Sequence, residues 1–151
     1  MADSIISNIL SSMKRGSRDG RQRPHKPIMW LVVLNLLDSS YIRENKIVFD
    51  EKLVAEFKNL FSEYALGDDL PQPSQPFFHL RSSGIWHHKI NLGEENYYNS
   101  LTTSGGGTKR ILKAIQYAYL DDEVYTYLQN SINRDRLRAE VLTLLHDEGR
   151  G

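Results

Sequence analysis

One stretch of this sequence, Ile28 to Leu37, is apolar at every position except Asn35, and it constrains the fold more than any other segment. A segment without a polar face is buried on all sides, so it must be a central element of the structure. Pro27 stands directly before it, at a position where a helix loses nothing from the missing N–H group. This leading proline and the length of the stretch favour a helix over a strand. The pattern therefore predicts a buried central helix.

The size and composition of the chain are those of one ordinary globular domain, spanning residues 1–151, with 40% hydrophobic and 25% charged residues. The longest uninterrupted apolar run is far shorter than a bilayer span, and the polar Asp3 and Ser4 are unlike the start of a signal peptide. Cysteine is absent, which excludes disulfides, thiolate zinc sites and a cysteine nucleophile. These features predict a cytoplasmic protein.

Apolar residues at helical spacing, often behind a capping residue, predict further helices around the central one. These helices are expected over residues 3–14, Glu51 to about Ala65 with Asp50 as cap, Lys109 to about Tyr119, Asp121 to about Ile132, and Asn133 to about Glu148.

Aromatic and branched residues beside turn signals predict a few short strands. Residues 46–49 are one candidate, and Pro76–Leu80 and Gly84–His88 are predicted to pair as a hairpin through Arg81–Gly84. In a strand, Phe77 and Phe78 would point to opposite faces, so that at least one of them is core. Together, these helices and strands predict an α+β fold: a mostly helical single domain of about six helices with a small antiparallel hairpin or sheet.

The charge of the chain is zero overall but unevenly distributed. Residues 1–26 contain six Lys or Arg and two Asp, a net charge of +4, whereas the remaining residues contain thirteen basic and seventeen acidic groups, a net charge of −4. Most of the positive charge lies in the segment Lys14–Lys26, which is predicted to be a loop. Arginine and lysine in such a loop are suited to DNA phosphates, whose counterions they displace. A solvated surface loop without a partner is the alternative.

A second candidate segment, Ser104 to Arg110, contains three consecutive glycines followed by Thr108, Lys109 and Arg110 at a predicted helix start. Glycines let a backbone approach a ligand closely, and the first turn of a helix offers free N–H groups to anions. The segment lacks the Gly-Lys-Ser/Thr of a phosphate-binding P-loop and the spacing of a dinucleotide-binding loop. A flexible linker is the alternative reading.

No constellation in the sequence indicates catalysis or a bound metal. His87 and His88 are adjacent and would face opposite sides of a strand, so they cannot easily hold one ion together. The next histidine is His146, far along the last helix, and no serine lies in a nucleophile motif. The sequence therefore predicts a binding domain that is not an enzyme and has no cofactor.

Three motifs in this order resemble a known family. They are Arg23-Pro-His-Lys-Pro27 leading into the apolar helix, Gln75-Pro-Phe-Phe-His-Leu80, and Ser83-Gly-Ile-Trp86. Together they resemble the sulfur-binding domains of phosphorothioate-dependent, McrA-like HNH restriction endonucleases over most of the chain. Such domains recognise double-stranded DNA in which sulfur replaces one non-bridging phosphate oxygen. The nuclease of that family lies in a separate HNH domain, so this chain would be a reader domain of a longer enzyme or a stand-alone reader.

The resemblance implies an apolar notch for sulfur, built around a proline, beside cations that hold the phosphate. The phosphate- and sulfur-binding residues it implies are Arg21, Arg23, His25, Lys26, Gln75, Pro76, Phe77 and His79. The region that would read nearby bases consists of Thr103, Ser104, Gly105, Gly106, Gly107, Thr108, Lys109 and Arg110.

The sequence departs from the family pattern at two of these positions. Gln75 stands where the family often has an aromatic residue, and His79 stands where a small residue is sometimes found. Two other functions remain open on the sequence alone. One is a DNA-binding module for another modification or a plain sequence, and the other is a helical protein-interaction domain.

Overall fold

The computed structural model describes residues 2–13, 17–18, 21–22, 24–65, 70–101 and 107–150, and these form an α+β domain that is mostly helical. The described part contains eight α-helices instead of about six. In chain order the elements are α1 (Ala2–Ser11), β1 (Ser17–Arg18), β2 (Arg21–Gln22), α2 (His25–Asp38), α3 (Glu51–Tyr64), α4 (Ser74–His79), a 3₁₀ turn (Leu80–Ser83), β3 (Trp86–Ile90), α5 (Glu95–Ser100), α6 (Thr108–Ala114), β4 (Ile115–Leu120), α7 (Asp122–Tyr127) and α8 (Ser131–Arg150).

Helix α2 is the centre of the domain, as its apolar sequence predicts. Its residues from Ile28 to Leu34 are all buried, and α3, α4 and α8 pack around it. The indole of Trp30 donates a hydrogen bond of 3.0 Å to the hydroxyl of Ser12, which fastens the end of α1 to the core. An indole N–H that is buried needs such an acceptor, because leaving it unpaired would cost free energy.

Helix α8 is held on α2 by ionic contacts as well as by its apolar side chains. Asp38 at the end of α2 accepts a hydrogen bond of 2.6 Å from Arg134 and a further one from Arg138. Burial tends to raise the pKa of Asp38, but the bonds from Arg134 and Arg138 outweigh it and leave that pKa below its usual value.

The predicted hairpin between residues 76 and 88 is wrong. Its first half is helix α4 followed by the 3₁₀ turn, and its second half is β3, which pairs antiparallel with β4. Pro76 lies in the first turn of α4, where its missing N–H group is not needed. Phe77 and Phe78 are both fully buried, so neither lies on an exposed strand face.

The helix predicted to continue to Tyr119 stops at Ala114, and the same segment continues as β4. In β4, Tyr117 and Tyr119 lie half-buried on one face, and the buried Ala118 and Leu120 lie on the other. Pairing with β3 gives the backbone of these residues hydrogen-bond partners that the sequence pattern does not reveal. Residues 46–49 contribute one bridge, in which Ile47 pairs with Ala118 on the other edge of β4.

The helix predicted from Asp121 to Ile132 is interrupted by a turn. The short α7 ends at Tyr127, a turn follows, and α8 begins at Ser131. The cap of α8 is Asn130 instead of Asn133, because the side-chain oxygen of Asn130 accepts the N–H groups of Ile132 at 2.8 Å and Asn133 at 3.2 Å. Asp121 does precede α7 as predicted, but its carboxylate contacts His87.

The predicted helices α1 and α3 are confirmed, although α1 ends at Ser11, before its predicted end at residue 14. The Asp50 carboxylate accepts the N–H of Leu53 at 2.9 Å and so caps α3. Within the described residues, no helix is both long and apolar enough to cross a membrane.

Candidate nucleic-acid interface

Helix α2 and the short helix α4 pack against each other, although about fifty residues separate their first residues in sequence. Lys26 on α2 and His79 on α4 lie close enough to interact electrostatically. Burial, followed by the positive charges of Lys26 and Arg81, lowers the pKa of His79. The fold therefore gathers three cationic or titratable groups at one place, next to Pro76.

Helix α4 is fixed in position by the sheet behind it. The carbonyl of Phe77 accepts two hydrogen bonds, one from the indole of Trp86 at 2.9 Å and one from His88 Nε2 at 2.8 Å. His88 Nδ1 then accepts from the hydroxyl of Tyr98 at 2.8 Å. Burial lowers the pKa of His88 to about 4 despite the bond to Phe77, so the imidazole is neutral and has one donor and one acceptor nitrogen.

Three of the predicted sulfur-site residues are consecutive at the start of α4. Pro76 and Phe77 are buried and Gln75 is half-buried. The side-chain oxygen of Gln75 is buried and accepts no hydrogen bond from the described residues. Most of the surface of Pro76 and Phe77 is therefore covered by the rest of the domain.

His25 differs from the other predicted contacts because its ring faces the interior. It is 5% exposed, lies 5.0 Å from the ring of Phe61, and bonds through Nε2 to the carbonyl of Leu70 at 2.9 Å. These contacts fix the first turn of α2 against α3 and against the chain before α4. Its neighbour Lys26, by contrast, is only half-buried.

Arg81 is a cation that the sequence pattern indicated only as part of a hairpin turn. It is exposed in the 3₁₀ turn after α4, and its guanidinium carbon lies 4.0 Å from the ring centroid of Phe78 and 5.2 Å from that of Tyr98. The spacing of Phe78 and Arg81, three residues apart, could have indicated this contact if the segment had been recognised as helical.

The remaining predicted residues are only partly described. Arg21 belongs to β2, which pairs with β1, so this part of the predicted loop is a small hairpin. Its side chain lies outside the described residues, as do Arg23 and the loop residues Thr103, Ser104, Gly105 and Gly106. Gly107 precedes α6 with φ +95, a conformation that favours glycine. The following Thr108, Lys109 and Arg110 form the exposed first turn of α6, which packs near α4.

His87 and His88 face opposite sides of β3, as expected for adjacent strand residues. His87 Nε2 lies 2.6 Å from the carboxylate of Asp121, whereas His88 bonds to Tyr98 and Phe77. Among the described residues there is no group of three or more His, Asp or Glu side chains that could hold a metal ion.

Comparison with known proteins places the chain in a family. Residues 2–148 match the family described as the ScoMcrA-like DNA sulfur-binding domain. The chain belongs to this family. A search of curated proteins found no match to this sulfur-binding domain.

A solved structure described as the sulfur-binding domain of SprMcrA complexed with phosphorothioated DNA has the same fold as this sulfur-binding domain. The TM-score is 0.67 at 14% sequence identity, and the match covers 99% of this chain and 93% of that one.

Proposed function

We propose that this sulfur-binding domain recognises double-stranded DNA carrying a phosphorothioate, a backbone phosphate with one non-bridging oxygen replaced by sulfur. The observation that carries the proposal is the packing of α2 on α4 in a chain of this family. It brings the cation Lys26 beside His79, one helical turn from Pro76. Positive charge and an apolar surface thus meet at one place.

The chemistry of the substituted phosphate explains why both parts are needed. The phosphorothioate keeps its negative charge, which cations such as Lys26 attract in any DNA. Sulfur is larger, more polarizable and less strongly hydrated than oxygen, so it loses less free energy on entering an apolar notch. A small notch beside Pro76, with Gln75 and His79 as walls, would therefore distinguish sulfur from oxygen at the same phosphate.

The further roles of the basic residues follow from their positions. Arg21 and Arg23 precede α2 and would add backbone contacts. Residues 103–110, which end in the exposed cations of α6, would contact bases or phosphates near the sulfur. His25 would act by holding Lys26 in place, since its own ring is buried.

We further propose that the domain has no catalytic activity of its own and directs a restriction nuclease to modified DNA. An HNH nuclease domain, as in the enzymes that the sequence motifs resemble, is the expected effector. Binding to foreign phosphorothioate DNA would then serve bacterial defence.

The test is a comparison of one duplex with and without a single phosphorothioate, by gel shift or fluorescence anisotropy. We expect clearly tighter binding of the sulfur-containing duplex, and a steep fall of affinity with added salt for both. Equal affinity for the two duplexes would refute sulfur recognition and leave general DNA binding. An affinity that does not change with salt would contradict binding through phosphates altogether.

A further inference from the structure

Arg81 is held by aromatic rings instead of by a carboxylate. Its guanidinium lies over the rings of Phe78 and Tyr98, and a planar cation stacked on such faces loses much of its freedom to move. In the described part of the chain, no carboxylate lies within ion-pair distance of Arg81. Arg134 and Arg138, in contrast, both pair with Asp38 on the opposite end of α2.

The rings beneath Arg81 are themselves fixed. Phe78 is fully buried in α4, with its ring 5.9 Å from that of His88. The hydroxyl of Tyr98 is bonded to the same histidine, which in turn is bonded to the α4 backbone. Arg81 is therefore held at a defined position on the surface before any ligand binds.

Arg81 also lies in the same region as Lys26, since the positive charges of both act on His79 and, together with burial, lower its pKa. Arg81 and Lys26 are like charges, and an anion that contacts both would reduce their repulsion. Guanidinium groups bind phosphate through two parallel N–H donors, which a fixed orientation favours.

We propose that Arg81 binds a phosphate of the DNA backbone, held ready for it by the rings of Phe78 and Tyr98. This inference rests on the proposed function and adds to it a contact that is independent of sulfur. Arg81 then contributes affinity and register, whereas the notch at Pro76 contributes the preference for the modified phosphate.

The experiment measures affinity for the sulfur-containing and ordinary duplexes over a series of salt concentrations. It compares the wild type with Arg81→Ala, Arg81→Lys and the control Arg43→Ala. Arg43 is also exposed, but it follows the far end of α2, where its Nε donates to the carbonyl of Ser40 at 3.0 Å. Both alanine variants therefore lose one positive charge, but Arg81 lies beside α4 and Arg43 lies beyond the last residue of α2.

We expect Arg81→Ala to weaken binding of both duplexes roughly tenfold, and to reduce the slope of log affinity against log salt by about 1. Arg81→Lys should recover only part of the affinity, because lysine keeps the charge but neither the planar stacking nor the paired donors. Arg43→Ala should bind like the wild type. Thermal unfolding of each variant establishes that the domain remains folded.

Two results would overturn the proposal. One is that folded Arg81→Ala binds DNA with the affinity and salt slope of the wild type. The other is that Arg81→Lys fully recovers the affinity, because the rings would then have no role. Failure of the proposed function looks different, because the wild type itself would then bind both duplexes equally. The Arg81 contact would still be measured on ordinary DNA in that case, whereas a wild type that binds neither duplex would refute both.

Discussion

At the scale of single residues, we propose that the candidate interface divides two physical tasks between Lys26 and Pro76. Lys26 offers a charge that attracts any phosphate, whereas Pro76 offers an apolar ring that can favour a weakly hydrated atom. They lie on different helices, α2 and α4, which pack against each other. Their contributions should therefore be separable by mutation.

We predict that Lys26→Ala weakens binding of sulfur-containing and ordinary duplexes by a similar factor, roughly tenfold, because it removes one phosphate contact. Pro76→Ser should chiefly reduce the ratio of the two affinities, since a hydroxyl makes the notch more polar. Pro76→Ala is the matched control that keeps the site apolar. Competition binding with the two duplexes measures both quantities, and identical behaviour of the Lys26 and Pro76 variants would show that the division is wrong.

At the scale of elements, α3 shows how one capping residue fixes the boundary of a helix. Asp50 accepts the N–H of Leu53 and, at 2.6 Å, the hydroxyl of Tyr41 from the connection before it. The carboxylate also lies at the positive end of the helix dipole, where a negative charge is stabilising. A cap of this kind is readable from the sequence because its geometry is local.

We expect Asp50→Ala to lower the free energy of unfolding by about 1 kcal/mol, because the N–H groups at the start of α3 lose their acceptor. Asp50→Asn should retain most of the stability, since its side-chain oxygen can still accept from Leu53. Urea denaturation compares the three proteins. An alanine variant as stable as the wild type would show that solvent replaces the cap without loss.

At the scale of the whole molecule, His88 connects three elements that are distant in sequence. It lies on β3, donates to the backbone of α4 and accepts from Tyr98 on α5. In the neutral imidazole Nε2 donates and Nδ1 accepts, and protonation would turn the Tyr98 hydroxyl from a donor into an acceptor. The contacts that position Tyr98 and α4 are therefore made by a histidine whose burial disfavours protonation.

This predicts a loss of stability in mildly acidic solution. The pKa of His88 is about 4 in the folded domain and near 6.5 in the unfolded chain. Between these values the unfolded chain binds the proton and the folded one does not, so the stability present above pH 6.5 falls as the pH decreases toward 4. Each pH unit within this window costs at most about 1.4 kcal/mol.

Denaturation at pH 7 and pH 5 tests the prediction, with His88→Gln as the variant that cannot titrate. The difference in stability between the two pH values should be smaller in the variant by about 1 kcal/mol or more. An unchanged difference would assign the acid sensitivity to other groups, such as His79, whose pKa is also lowered.

Local patterns predicted much of this fold. The fully apolar stretch after Pro27 could only be a central helix, and Asp50 before the stripe of Leu53 and Phe57 could only begin an amphipathic one. The sequence motifs also predicted the family, and with it the DNA partner. All of these signals act over a few residues, or over a run whose polarity alone requires burial.

Only the tertiary structure decided which segments are strands and which side chains meet. Residues 76–80 contain aromatic residues typical of a strand, yet they form α4 because Phe77 and Phe78 can both be buried between α2 and the sheet. Likewise, β4 exists because β3 supplies hydrogen-bond partners from about thirty residues away. Pairing and burial of this kind depend on the rest of the fold, and so does the position of Arg81 over Phe78 and Tyr98.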